Sequence, residues 1–355
     1  MRQWAITQAV TIPVLFAAAM ATATVAVAAE VSFPVRPVKA AAPKAEIVYL
    51  DKVWDRAGHS AFTDLIRFHN RWFLAFREAT THVSGDGAIR ILSSSDFEHW
   101  QETARIAHPG GDLRDPKFCE APDGQLMLTT ALALRQPAES HHQTYTWFSR
   151  EGRQWSEPAA IGDPDVWLWR VQWHRGMALA LGYATGPQRF LRGYMSGSSA
   201  TRFDTINPTV LSADYPNETS ILFQSDESAL CLLRRDAGTK TALLGRSQPP
   251  YRAWTWTDLG VRIGGPHMVK LPDGRIVAAL RLYAGKARTS LCWLDPATDQ
   301  LTEFLALPSG GDTSYAGLGF HDGLLHVSYY SSHEERTSIY VAKVKLPARL
   351  AKESR

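Results

Sequence analysis

The chain has 355 residues, 45% of them hydrophobic and 21% charged, so a substantial core can form. A formal net charge of +3 is too weak to mark a nucleic-acid partner. Twelve tryptophans and eleven tyrosines suit strands and aromatic stacking surfaces.

Arg2, an apolar Ala-rich run from Ile6 to Val27 and the small residues of AVAAE read as a secretory signal, with cleavage after Ala28 or Ala29. The alternative is an uncleaved anchor, since the run is long enough to span a bilayer. A Pro/Ala/Lys-rich stretch follows and reads as a linker. The expected organisation is a signal over 1–29, a linker over 30–45, one folded domain over 46–348 and a tail over 349–355. The mature protein is expected to be periplasmic or secreted, without stable membrane insertion, and a monomer. Cys119, Cys231 and Cys292 are odd in number and far apart, which favours buried free thiols over a disulfide framework. No C-x-x-C or H-E-x-x-H spacing marks a metal site, and neither a metal nor a cofactor is expected.

From Phe62 onward one pattern recurs: a short strand, a tight turn and a longer strand. The six copies are FTDLIRFHNRWFLAFRE, LRDPKFCEAPDGQLMLTTALAL, LWRVQWHRGMALALGY, NETSILFQSDESALCLLRRD, GPHMVKLPDGRIVAALRLY and SYAGLGFHDGLLHVSYY. Asn70, Asp123-Gly124, Gly176, Asp226, Asp273-Gly274 and Asp322-Gly323 sit at the turns, as hairpins require. Ser94–Trp100 (SSDFEHW) and Ser149–Trp155 (SREGRQW) each follow a hairpin with a Ser, an acid two residues on and a Trp. Weaker echoes end at Phe203 and Trp256.

Six hairpins at a period of about fifty residues predict a repeat architecture with four strands per unit. The predicted fold is all-β: a six-bladed β-propeller of four-stranded antiparallel blades. The last unit has room for three strands before Pro347, so AEIVYLDKVW near the N-terminus is expected to close the ring. The start of each innermost strand would then face a central funnel. Asp64, Asp115, Arg170, Glu218, His267 and Tyr315 are expected at equivalent points around it. Arg77, Arg234 with Arg235, Arg281 and Tyr329-Tyr330 would end the returning strands on the same face.

The Ser-x-Asp-x-x-x-Trp pieces resemble the Asp-boxes of the sialidase superfamily, in a form one residue shorter than usual. Such boxes brace outer turns and speak to fold, not to catalysis. SYAGLGFHDGLLHVSYY resembles the segment carrying a sialidase's nucleophilic tyrosine, which implies that role for Tyr315. NETSILFQSDESALCLLRR resembles the glutamate strand and the second arginine, implying Glu218 and Arg234 or Arg235. LPDGRIVAALR resembles the strand with the third arginine, implying Arg281. WFLAFREATTHVSGDGAIRILSSSD resembles the first-blade loop with the acid/base aspartate, implying Asp86. The chain departs from the pattern at AFTDLIRF, which places Asp64 near where the first arginine belongs. Arg77 is the candidate to replace it. His82 and LRDPKF lie outside the pattern.

The chemistry is consistent with these residue types. Tyrosine has an ordinary pKa near 10 and needs a glutamate to accept its proton before it can attack. A neutral nucleophile also avoids repelling an anionic sugar, and arginines offer such a group bidentate clamps. The resemblance therefore implies a retaining exo-glycosidase acting on a terminal acidic sugar of a glycan. Asp64, Asp115, Arg170 and His267 are further candidate substrate contacts. Two alternatives stay open. One is a propeller glycosidase using carboxylates alone, like arabinanases and invertases, with Asp64, Asp115 and Glu218. The other is a non-catalytic glycan-binding propeller.

Overall fold

The structure, a computed structural model, describes residues 45–135, 140–197 and 200–348. The expected signal, nearly all of the expected linker and the tail lie outside the described residues. The chain forms six four-stranded antiparallel sheets, and in five of them the strands pair in sequence order. The innermost strands are His59–Phe68, Gly111–Glu120, Val166–His174, Pro216–Phe223, Ile263–Lys270 and Thr313–His321, in blades one to six. They contact one another around a closed ring. Glu46–Trp54 pairs with Ser338–Lys345 as the outermost strand of blade six, so one sheet joins the two ends of the domain. This is the six-bladed propeller expected from the repeat, with the expected closure.

Strand alternation explains how the blades stack. In Ile276–Leu282, Ile276, Ala278, Leu280 and Leu282 enter the core shared with blade four. Val277 and Ala279 enter the core shared with blade six. Each blade thus needs apolar residues on both faces, and its polar residues collect at strand ends.

The hairpin turns follow their residues. His69-Asn70, Arg175-Gly176 and Asp322-Gly323 have both central residues at positive φ, as two-residue type I′ turns demand. The Ser94 turn is held by its own side chains. Ser94 Oγ accepts from Phe97 N at 2.8 Å, and Asp96 Oδ1 accepts from the amides of Glu98 and His99 at 2.8 Å. Cys119, Cys231 and Cys292 are all free thiols, the last two buried.

One device is repeated six times and was not read from the sequence. Every innermost strand carries a bulge at the same height, where two of its residues oppose one on the second strand. The bulged pairs are Phe62-Thr63, Asp115-Pro116, Trp169-Arg170, Asn217-Glu218, Gly265-Pro266 and Tyr315-Ala316. Bulges re-aim side chains and gather beside functional sites. Four of the first residues, Phe62, Asp115, Gly265 and Tyr315, have positive φ between 50° and 60°. The expected single ring is corrected accordingly. Asp115 and Tyr315 stand first in their bulges, Arg170 and Glu218 second, and Asp64 and His267 one residue beyond.

Candidate active site

Two polar clusters lie along the axis, and Arg170 and Glu218 belong to different ones although they share a height. The deeper one is a plug. Asp64, 1% exposed, receives Arg170 through two bonds of 2.9 and 3.1 Å and the Phe118 amide at 2.6 Å. His267 lies 3.9 Å from Asp64 and reaches the Ala316 carbonyl at 3.1 Å. Burial opposes ionisation of Asp64, but the charges of Arg170 and Lys117 and the Arg170 hydrogen bonds hold its pKa below the usual value. Burial, reinforced by Arg170, pushes His267 down to about 3, so its ring is neutral. Beyond the plug the channel reopens as a cavity of about 260 Å³ whose walls include Cys119, Arg170, Trp173 and His267.

Above the plug lies the site. Tyr315 donates its hydroxyl to Glu218 Oε1 at 2.5 Å. Arg234 Nη1 reaches both the same oxygen, at 2.7 Å, and Tyr315 Oη, at 2.8 Å. The other Glu218 oxygen accepts the Gly265 amide at 2.7 Å. Two local choices make this geometry available. Gly265 lies between the blades carrying Glu218 and Tyr315, and a Cβ there would meet the Tyr315 ring at 2.9 Å. Arg234 is the residue opposite the Asn217-Glu218 bulge, so the bulge brings the carboxylate to its own strand partner.

Glu218 is ionised: burial works against it, but Arg234 and the Tyr315 and Gly265 hydrogen bonds hold its pKa low. Tyr315 is a neutral phenol, raised well above 10 by burial and the Glu218 charge despite Arg234 and Arg281. Glu218 is therefore placed to take the phenol proton during attack, and no phenolate waits in the resting site. Arg281 stands 5.2 Å over the Tyr315 ring. It donates from Nη2 to Asp312 Oδ1 and Tyr330 Oη, both at 2.8 Å, and from Nε to the Thr313 carbonyl at 2.7 Å.

Asp115 faces this cluster from blade two. It is 5% exposed, its Oδ1 has no partner, and burial raises it to about 6 despite Lys117 and Arg114. Lys117 is 3% exposed and makes one hydrogen bond, to the Pro116 carbonyl at 3.1 Å. It sits 5.0 Å over Trp169, whose ring lies 5.8 Å from that of Tyr315.

Of the residues singled out in the sequence, the structure brings together Tyr315, Glu218, Arg234, Arg281 and Asp115. Six others are corrected. Asp64, Arg170 and His267 serve the plug. Arg77 is fully buried and held by Asp112 at 2.7 and 3.0 Å, so it does not replace the missing first arginine. Arg235 points to the opposite face of its strand, toward Asp214, Thr241 and Asp258. Asp86 turns into its own loop, accepting from the Thr80 amide and hydroxyl and from Ser84. The Ser84 and Thr80 bonds lower its pKa, the wrong direction for a proton donor at neutral pH.

Sequence reading did not single out Lys117, Trp169, Arg114 or Asp312 as site residues. Arg114 and Lys117 flank Asp115 in LRDPKF, and Asp312 stands three residues before Tyr315, so proximity to those candidates was the available signal. Among the described residues, His59, His82 and Asp312 form one grouping with metal-ligating character, their ligand atoms within 4.8 Å of one another. The two imidazoles reach the same oxygen, Asp312 Oδ2, at 3.2 and 2.8 Å.

No family model matches the chain, and no curated protein matches it by sequence. Solved structures do. A protein of unknown function from Dyadobacter fermentans is 18% identical with a TM-score of 0.77, over 86% of this chain and 100% of that one. Penicillium chrysogenum α-L-arabinanase, solved with arabinobiose, is 13% identical with a TM-score of 0.63, over 80% and 93%. Trypanosoma rangeli sialidase, solved with sialic acid, is 9% identical with a TM-score of 0.60, over 86% of this chain and 59% of that one. At such identities the likeness establishes a propeller fold shared with glycoside hydrolases of both kinds.

Proposed function

We propose that the protein is a retaining exo-glycosidase that removes a terminal acidic sugar from a glycan, with Tyr315 as nucleophile and Glu218 as its proton acceptor. One observation carries this reading. The Tyr315 hydroxyl is 2.5 Å from an ionised, buried glutamate, and Arg234 bonds both oxygens. A structural tyrosine needs one partner, whereas this one is supplied with a base and a cation that stabilises the charge passing between the two oxygens. Arg281 makes its internal bonds through Nε and Nη2, leaving Nη1 for a substrate carboxylate.

The second reading is hydrolysis of a neutral sugar by Asp115 and Glu218. It is supported by Asp115, which at about 6 lies where a general acid should be. It is also supported by the charge balance, since Arg234, Arg281 and Arg114 each already face a carboxylate of the protein. Screening the purified protein against aryl glycosides of sialic, uronic and neutral sugars separates the two. The first reading expects an acidic sugar to be cleaved, the first-released anomer to retain its configuration by NMR, and Arg281→Ala to weaken only the acidic substrate. An inverted product rules out covalent attack by Tyr315. Equal Arg281→Ala losses on acidic and neutral sugars rule out the clamp.

A further inference from the structure

The proposed reaction needs a proton donor for the leaving oxygen, and Asp86 does not face the site. The loop that carries Asp86 offers another group. Residues 80–87 join the second and third strands of blade one and are pinned from below by three arginines. Arg77 donates to the Thr81 carbonyl at 3.1 Å, Arg114 to the His82 carbonyl at 3.0 Å and Arg135 to the Gly85 carbonyl at 3.0 Å. Asp86 completes the loop from within through Thr80 and Ser84. A loop fixed this thoroughly is built to hold something in place, and the side chain held at its tip is His82.

The His82 ring lies edge-on to Phe62 at 5.4 Å between centroids, and Phe62 lies edge-on to Tyr315 at 5.3 Å. His82 is half exposed, at the rim above the buried Tyr315. Its Nδ1 meets Asp312 Oδ2 at 2.8 Å. Asp312 is itself fixed by Arg281, Tyr330 and His59. A carboxylate on Nδ1 holds an imidazole in the tautomer that leaves Nε2 free to exchange protons.

From this geometry we propose that His82, oriented by Asp312, is the acid/base residue of the site. This rests on the reading of Tyr315 as nucleophile. In the first step Tyr315 Oη bonds to the anomeric carbon as the bond to the leaving oxygen breaks. The imidazolium gives its Nε2 proton to that oxygen, and Glu218 takes the phenol proton. In the second step water bonds to the anomeric carbon as the Tyr315 bond breaks. His82 takes a proton from that water, and Glu218 returns its proton to Tyr315, so both groups end as they began. His82 is the catalytic residue and Asp312 a positioning residue. The charged and titratable groups facing His82 are Asp312 and His59, with Arg114 at its carbonyl and Arg281 and Tyr330 behind Asp312.

The test uses His82→Gln, Asp312→Asn and Asp115→Asn on aryl and alkyl glycosides of the sugar that the screen identifies. His82→Gln is expected to keep the first step on an activated aryl glycoside within about tenfold, and to lose about 10²–10⁴-fold on an alkyl glycoside. Azide should restore turnover while giving a glycosyl azide of retained configuration. Uniform loss across leaving groups overturns the proposal. So does leaving-group dependence that appears in Asp115→Asn and not in His82→Gln. Inactivation of the wild type by chelator with recovery on adding zinc also overturns it, making the two histidines and Asp312 metal ligands instead. Full activity in Tyr315→Phe defeats the nucleophile reading separately, because the leaving-group series still reports on His82. A readout independent of turnover is nitrogen NMR of the ring. In the neutral ring, left once the Nε2 proton has gone, the wild type is expected to hold its proton on Nδ1 and Asp312→Asn to show a tautomer mixture, and a neutral wild-type ring protonated on Nε2 alone overturns the assignment.

Discussion

The axis of this propeller holds two buried polar clusters a few residues apart, and they are finished differently. In the plug, both Asp64 oxygens are occupied, the carboxylate is held ionised, and His267 is neutral with a carbonyl to bond, with Arg170 Nε left unpartnered. In the site above, Asp115 has an oxygen without a partner and a raised pKa, and Lys117 has one carbonyl for three donors. Tyr315 donates to the ionised Glu218 across 2.5 Å. A buried polar group left incomplete costs stability, so it persists where a ligand or a reaction completes it. The plug fixes blades, and the site above it leaves groups open, as the proposed reaction requires.

Tyr315→Phe sharpens the contrast most. On the substrate identified by the screen it should lower kcat by several orders of magnitude. It should cost only about 1 kcal/mol of stability, the net worth of one hydrogen bond. Asp64→Ala should do the reverse. Removing one partner of a buried pair leaves Arg170 uncompensated and should cost about 3–5 kcal/mol in denaturant unfolding. Any correctly folded Asp64→Ala protein should keep kcat within about tenfold. A plug variant that unfolds no more easily than wild type would break the distinction between the two clusters.

The fold was legible because its signals are local and repeated. Asp-Gly turns, strand alternation and a six-fold period all survive in one sequence, and together they gave blade number and closure. The site was legible where one residue's type and height coincided, as for Tyr315 and Glu218. It was not legible where direction mattered. Arg234 and Arg235 are neighbours on one strand, so period two sends one to the funnel and the other to the blade surface. The six bulges shift each innermost strand by a residue, so positions that align in sequence lie at three heights. Asp86 was drawn to the site by its loop, but the Ser84 and Thr80 hydroxyls beside it supply its bonds locally.

Asp115 offers a smaller effect with a defined sign. Its folded pKa, about 6, lies above the ordinary aspartate value of 3.8. Between those values the unfolded chain gives up the proton and the folded chain keeps it. Wild type therefore loses stability as pH rises through this window and then levels off. The whole change is of order 3 kcal/mol. His267, lowered to about 3 from its ordinary 6.5, acts in the opposite sense over the whole of that range. The useful quantity is thus the difference between wild type and Asp115→Asn, which lacks the titration. Asn should gain on wild type from pH 4 to pH 6 in parallel denaturant series. A constant difference across that range would mean that Asp115 ionises normally and belongs with the finished groups of the plug.

The smallest predicted effect separates the paired arginines. Arg235 donates to Asp214 and Asp258, whose side chains are 39% and 44% exposed, so solvent weakens both ion pairs. Arg235→Lys keeps the charge but loses the fork that also reaches the Thr241 carbonyl and hydroxyl. It should cost about 1 kcal/mol of stability, less at high salt for the ion-pair share, and leave kcat/KM unchanged. Arg234→Lys makes the same exchange on the other side of the strand. There one guanidinium nitrogen holds Glu218 and Tyr315 together while the others hold Asp236. A lysine ammonium cannot span that set in one plane, so the Tyr315–Glu218 pair should loosen and kcat should fall while KM changes less. The comparison is read from kcat and unfolding midpoints of the two lysine variants. Equal kcat losses in both would mean that neither arginine is specific to the chemistry and that the boundary between site and scaffold lies elsewhere.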